Sequence, residues 1–310
     1  MPKQQTSPIL IAGPTAGGKS AVAMALAAEI GGVIINADSM QVYRELRELT
    51  ARPSAEDEAA IPHRLYGVIP VTQAYSVGQW IEDVAREVEA VGREGRVPII
   101  TGGTGLYFKA LLEGLAPVPE IPEAVRERWR AEAKGRESKS LHALLAERDP
   151  DMAERLRPQD SQRIVRALEV IDATGRSLGS WQSMPASPVL EAEATRRIVI
   201  APERQTLYDR IDARVDRMVG RGALEEVEAL MALELDSGLP AMRALGVEAL
   251  MAHLAGETER AEAISGFETE TRRYAKRQMT WLRSNMIAWQ WYEEKDSTSF
   301  LPKIFSFVDV

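Results

Sequence analysis

Three short stretches of the chain are apolar at every position: residues 9–12 in SPILIAG, 33–35 in GGVIINAD and 97–100 in VPIITGG. A strand with one wet face alternates apolar with polar residues. Unbroken runs instead predict strands covered on both faces, as in a parallel sheet. Each run leads into Gly, Asp or Thr, residues that open turns. A fourth run, RRIVIAP at 196–202, comes much later. Helical stretches separate the four, so the predicted class is α/β, a parallel sheet of βαβ units with long helical excursions.

The patterning changes between residues 117 and 190. That segment opens with APVPEIPEAVRERWR, continues through charged helical stretches and closes on the turn-rich WQSMPASP. The predicted division is therefore residues 1–116 as the first part of the α/β core, 117–190 as a mostly helical insertion, and 191–310 as a return to the core followed by C-terminal helices. No internal repeat and no low-complexity tract interrupts this order.

Composition narrows the classes. The chain has 310 residues, 45% hydrophobic and 27% charged, enough for a sizeable core. It contains no cysteine, which excludes disulfides, cysteine-based metal sites and thiol nucleophiles. No apolar run approaches about 18 residues, and the N-terminus leads straight into the first strand. No membrane span or signal peptide is expected, and the expected location is cytoplasmic. The formal net charge of −8 weighs against a nucleic-acid partner unless positive charge is gathered locally. His63, His142 and His253 are isolated and are assigned no catalytic role.

The first strand runs into GPTAGGKSAVAMALA, where Gly13, Gly18, Lys19 and Ser20 match G-x-x-x-x-G-K-[ST] with a strand before and an Ala-rich helix after. Residues Gly13, Pro14, Thr15, Ala16, Gly17, Gly18, Lys19 and Ser20 are thus expected to cradle a phosphate or diphosphate. Glycines let backbone N–H groups converge on phosphate oxygens, and the helix N-terminus adds positive potential. Lys19 supplies a point charge, and Ser20 supplies a hydroxyl for Mg²⁺. This is the signature of a P-loop NTPase-like, nucleotide-binding core, and ATP is its usual occupant. The second strand ends in NADSMQVYR and the third in TGGTGLYF. Carboxyl ends of strands in an open α/β sheet are where ligands bind. Asp38, Thr101 and Thr104 are therefore expected to share a crevice with the loop. The alternatives are Asp38 as the magnesium carboxylate of an ordinary ATPase, or Asp38 as a helix cap with GGTG as a plain turn.

The motifs GPTAGGKS, NADSMQVYR, GGTGLY, DSQRIVRALEV and YAKRQMTWLR occur in that order. Over roughly residues 8 to 290 the chain resembles bacterial tRNA dimethylallyltransferases, also called tRNA isopentenyltransferases. The resemblance implies transfer of a dimethylallyl group from dimethylallyl diphosphate to the exocyclic amine of the adenosine just 3′ of the anticodon. The loop would then hold the allyl diphosphate and not ATP. It implies Asp38 as general base, Thr104 beside the transferring group, and Asp38, Ser39, Met40, Gln41 and Thr104 as contacts of the tRNA. It also implies that Gln162, Arg163, Ile164, Val165 and Arg166 meet the anticodon stem-loop, with Arg126 and Arg243 as weaker contacts. Departures are Gly17 and Ser20, where many relatives have Ser and Thr, and RELRELTARPS after Tyr43. Ser20 keeps a hydroxyl and Arg52 keeps a charge. The expected protein is a monomer.

Two basic segments remain. Arg210 and Arg214, in LYDRIDARVDRM, are either further diphosphate partners or part of a solvated helix face. In TRRYAKRQMTWLR, at roughly 100° per residue, Arg272, Arg273, Lys276, Arg277 and Arg283 fall within an arc of roughly 140°. Tyr274, Ala275, Trp281 and Leu282 lie opposite. The stripe suits RNA phosphates, and an ordinary amphipathic surface helix is the alternative. Two other functions compete: a P-loop small-molecule kinase, which has no use for the stripe, and a non-catalytic RNA-binding module, which has no use for a carboxylate facing the phosphates.

Overall fold

A computed structural model describes residues 7–293 and 301–308. Its sheet has six strands, β1 (Ile9–Ala12), β2 (Val33–Asn36), β3 (His63–Arg64), β4 (Pro98–Gly102), β5 (Arg196–Ile200) and β6 (Gln290–Tyr292). They are ordered β3-β2-β4-β1-β5-β6, and every pairing is parallel. The four apolar runs are the four central strands. The two edge strands were not expected, because a two-residue His-Arg and a three-residue Gln-Trp-Tyr are too short and too polar to register as a pattern.

The unbroken apolar runs follow from burial on both faces. Ile9 and Ile11 of β1 pack with Val22 and Leu26 of the helix Lys19–Ile30. Leu10 and Ala12 face the other way, toward Trp80 of helix Val77–Arg93 and Phe108 of helix Gly105–Glu113. A further core joins helices Arg204–Val219, Ala223–Ala232, Val247–Leu254 and Arg260–Asn285 to Val42, Tyr43 and Leu46.

Contacts divide the chain into two compact units, one of residues 1–112 with 189–310 and one of residues 113–188. The second is helical throughout, with helices Glu123–Lys134, Ser138–Arg148, Pro150–Arg155, Ser161–Thr174 and Leu178–Gln182. It has its own core around Trp129, Leu141, Leu145, Ile164 and Leu168. The sequence pattern places the limits of the insertion at 117 and 190, and the contacts place them at 113 and 188.

Candidate active site

Sheet register brings three chain reversals together at the carboxyl end of the inner strands. Ala12 pairs with Gly102 and Asn36 with Thr101, so the segments after β1, β2 and β4 leave the sheet side by side. The first is the phosphate loop. Gly18 has φ 96° and caps helix Lys19–Ile30 with no side-chain bond, so the first N–H groups of that helix stay open to an anion. The left-handed backbone there favours glycine. The Pro14 carbonyl accepts both the Gly17 N–H and Lys19 Nζ at 3.1 Å. Desolvation lowers the Lys19 pKa to about 8, with the Asp38 carboxylate opposing that shift and Arg214 adding to it.

Helix Arg204–Val219 presents its arginines to this loop and not to solvent alone. Arg214 donates to the Thr15 hydroxyl at 3.1 Å, and Arg210 to the Gly17 carbonyl at 3.5 Å. They are four residues apart, one helical turn, so both guanidinium groups reach the same neighbour. Burial lowers the Arg214 pKa, which Arg217 reinforces and Asp38 opposes.

The second reversal carries Asp38. Fully buried Asn36 holds it from both sides, donating to the Asp38 carbonyl at 3.0 Å and accepting the Asp38 N–H at 2.8 Å. Oδ1 of Asp38 accepts the Met40 N–H at 3.0 Å. Oδ2 lies 3.5 Å from where a Cβ on Gly103 would sit. Asp38 is therefore fixed by an Asx turn beside β4, and it caps no helix. Tyr66, Tyr107 and Tyr274 all have pKa values raised by burial and, next, by the charge of Asp38. They surround the carboxylate as neutral phenols. Tyr107 also stacks on Trp80 at 4.1 Å, and Trp80 Nε1 donates to the Asn36 carbonyl at 2.9 Å. The strand end beneath Asp38 is rigidly supported.

The third reversal carries Thr104, whose Oγ1 accepts the Ser39 N–H at 3.0 Å and meets Ser39 Oγ at 3.3 Å. The GGTG turn and the DSMQ segment thus form one wall. Met40 is half-buried against the helical core, and the Gln41 amide donates to the Thr50 and Ala51 carbonyls at 2.9 Å. Lys19, Ser20, Asp38, Tyr66, Thr101 and Arg214 line one small polar cavity. The Thr101 hydroxyl on its wall is buried with no hydrogen-bond partner among the described residues, while Ser20 is exposed.

The basic stripe lies on helix Arg260–Asn285. Arg273, Lys276, Arg277 and Arg283 are exposed. An open groove of about 600 Å³ runs along Arg273, Lys276, Arg277 and Trp281. Arg277 lies 5.6 Å from the Tyr274 ring centre, and Arg283 is 3.7 Å from Glu293. Arg243 is exposed on the short turn Pro240–Arg243. Arg272 leaves the stripe. It donates to both carboxylate oxygens of Asp212 at 2.8 Å and pairs with Glu268 at 3.5 Å, so its charge is matched by carboxylates of the protein itself at a part-exposed site.

Within the helical insertion, Gln162 and Arg163 are exposed at the start of helix Ser161–Thr174, and Arg163 is 3.4 Å from Asp160. Arg166 pairs with Glu169 at 3.4 Å, and Arg126 with Glu123 at 3.5 Å. Ile164 is a correction: its side chain is fully buried with Ala167 and Leu168, so it offers no surface to RNA. Val165 is half-buried against the same core.

Gln278, which the sequence reading passed over, sits in the middle of this arrangement. It accepts the Thr15 N–H at 2.9 Å and donates to the Gly103 carbonyl at 2.8 Å. Its signal was positional. It falls three residues after Ala275 and four before Leu282, on the buried face of the helix.

The IPP transferase family model matches residues 41–285, and the isopentenyl transferase model matches 7–68. The tRNA dimethylallyltransferase of Parvibaculum lavamentivorans is 52% identical over 301 residues, 97% of this chain and 95% of that protein. Among solved structures, the tRNA isopentenylpyrophosphate transferase of Bacillus halodurans is 30% identical with a TM-score of 0.70, covering 98% of this chain and 96% of that one. A eukaryotic dimethylallyltransferase acting on tRNA is 25% identical with a TM-score of 0.78, covering 94% of this chain and 74% of that one.

Proposed function

The chain belongs to the IPP transferase family, and on that premise we propose that it moves a dimethylallyl group from dimethylallyl diphosphate onto the exocyclic amine of the adenosine 3′ of a tRNA anticodon. The observation that carries the reading is the meeting of the phosphate loop with Asp38 and Thr104 at the carboxyl ends of the inner strands. Family membership favours transfer over both the kinase and the RNA-binding module.

An allyl diphosphate ionises readily because its cation is delocalised, so the main task is to stabilise the departing diphosphate. The open N–H groups at the start of helix Lys19–Ile30, Lys19, Arg210 and Arg214 place positive charge there in advance. Mg²⁺ fits the exposed Ser20 hydroxyl and the partnerless Thr101 hydroxyl on the same cavity wall. When bound, it would neutralise charge on the leaving group. The acceptor amine is a weak nucleophile, its lone pair delocalised into the purine. Asp38 takes its proton as the new C–N bond forms, and Thr104 holds the wall between nucleophile and diphosphate. Among the described residues no helix is long and apolar enough to cross a membrane, and a tRNA substrate is met in the cytoplasm.

Labelled dimethylallyl diphosphate offered with unmodified tRNA is expected to label the RNA and release diphosphate. The same protein should hydrolyse no appreciable ATP, with or without tRNA, since among the described residues lining the cavity no side chain has the look of a group that aims water at a γ-phosphate. Robust tRNA-stimulated ATP hydrolysis without label transfer would reverse the assignment.

The exposed stripe makes a separate expectation. Replacing Arg273 and Arg277 together by Glu weakens tRNA binding and reduces the log–log salt slope by about 1 to 2 units, the loss of two phosphate contacts. Affinities measured at several salt concentrations decide it. Unaltered binding throughout would make the stripe an ordinary solvated face.

A further inference from the structure

The glycine-rich turn after β4 meets helix Arg260–Asn285 through two side chains. A Cβ on Gly103 would collide with Nε2 of Gln278, and one on Gly105 with the ring of Trp281. Two separated stretches of sequence, GGTG and YAKRQMTW, are thus the two sides of one close contact, in which a side chain at 103 would displace the Gln278 amide and one at 105 the Trp281 ring. Gln278 is 6% exposed, and its Oε1 and Nε2 both bond toward the edge of the sheet that carries the site. It binds the loop after β1 through the Thr15 N–H and the turn after β4 through the Gly103 carbonyl.

We propose that Gln278 is a positioning residue, a clasp that sets the separation between the diphosphate loop and the turn carrying Thr104. The inference rests on the transfer reading above. A glutamine is not needed to fill this space, since methionine has the same length and suits an apolar helix face better. The amide instead satisfies two backbone groups on two different strand ends, and an apolar replacement leaves both without partners. In a phosphate loop an N–H such as that of Thr15 is available to phosphate oxygens. Here it is engaged by Gln278, so the loop is held in one shape. Transfer needs the C–O bond of the donor and the adenosine amine held in line, and small errors in that spacing are costly because they act on the transition state. Gln278 therefore acts on the rate more than on the affinity of either substrate.

The test compares Gln278→Met with the native protein in single-turnover transfer, inorganic pyrophosphate binding and tRNA binding, with hydrogen exchange at Thr15 and the 102–105 turn. The expected result is a rate lower by ~10²-fold, with pyrophosphate and tRNA affinities within a few-fold of native and faster exchange at Thr15. A folded variant with a native rate would reduce Gln278 to packing and overturn the proposal. Pyrophosphate affinity falling as far as the rate would make it a binding element, which also overturns it. Exchange in the native protein needs no variant to fold: rapid exchange at Thr15 there means the clasp is absent. If the native protein transfers no dimethylallyl group at all, the transfer reading fails instead, and the exchange data still judge the clasp.

Discussion

Asp38→Asn is expected to leave both substrates bound within a few-fold of native while slowing the transfer step by ~10²-fold or more. Asparagine has nearly the same shape and keeps an oxygen for the Met40 N–H, which Asp38 Oδ1 accepts at 3.0 Å. The grip of Asn36 on the backbone of residue 38 is untouched. What asparagine lacks is the capacity to take a proton at neutral pH. No neighbour can replace that capacity, because Asp38 is the one carboxylate among the described residues lining the cavity. Tyr66, Tyr107 and Tyr274 are held protonated by burial and by Asp38 itself. Single-turnover transfer at saturating substrates, repeated across a magnesium titration, separates the possible roles. A metal ligand would show weaker metal and diphosphate binding, relieved by added Mg²⁺. A purely structural turn would keep both its rate and its stability, since asparagine still accepts the Met40 N–H. A near-normal rate removes Asp38 from the mechanism.

How far the site can be read in advance depends on how local its causes are. The phosphate loop is legible because its spacing and both flanks lie within twenty residues of sequence. The central strands are legible because burial on both faces leaves an unbroken apolar run; β3 and β6, at the sheet edges, have no such constraint and no such signal. Arg210 and Arg214 look the same in sequence whether their helix faces water or the loop, and only packing against residues nearly two hundred positions away decides it. Arg272 shows the reverse case. Its place in a basic arc is correct, but Asp212, sixty residues earlier, pairs with its guanidinium. Ile164 sits inside an RNA-contacting motif by resemblance, yet its spacing to Ala167 and Leu168 puts it in a core. Gln278 was missed for the opposite reason, since a polar residue beside a run of arginines is easily counted as surface.

Lys19→Ala is expected to lower transfer by ~10³-fold or more and to weaken diphosphate binding, with tRNA affinity little changed. Lys19 reaches the loop and faces Asp38, and none of the exposed stripe residues bears on it. Its pH dependence gives the sharper test. Desolvation holds its pKa at about 8, below the ordinary lysine value of 10.5, with Asp38 opposing and Arg214 assisting. A bound diphosphate adds negative charge and must raise that pKa, so binding above pH 8 takes up a proton. Pyrophosphate titrates in this range as well, but its own ionisation is common to native protein and variant, so the Lys19 contribution is the extra decline of the native affinity as pH rises through about 8, at most about tenfold per unit. Lys19→Ala should bind weakly at pH 7 and lose that decline. Calorimetry in buffers of different ionisation heat reads the proton uptake directly. If native protein and variant show the same uptake and the same decline near pH 8, Lys19 is not the charge that meets the diphosphate.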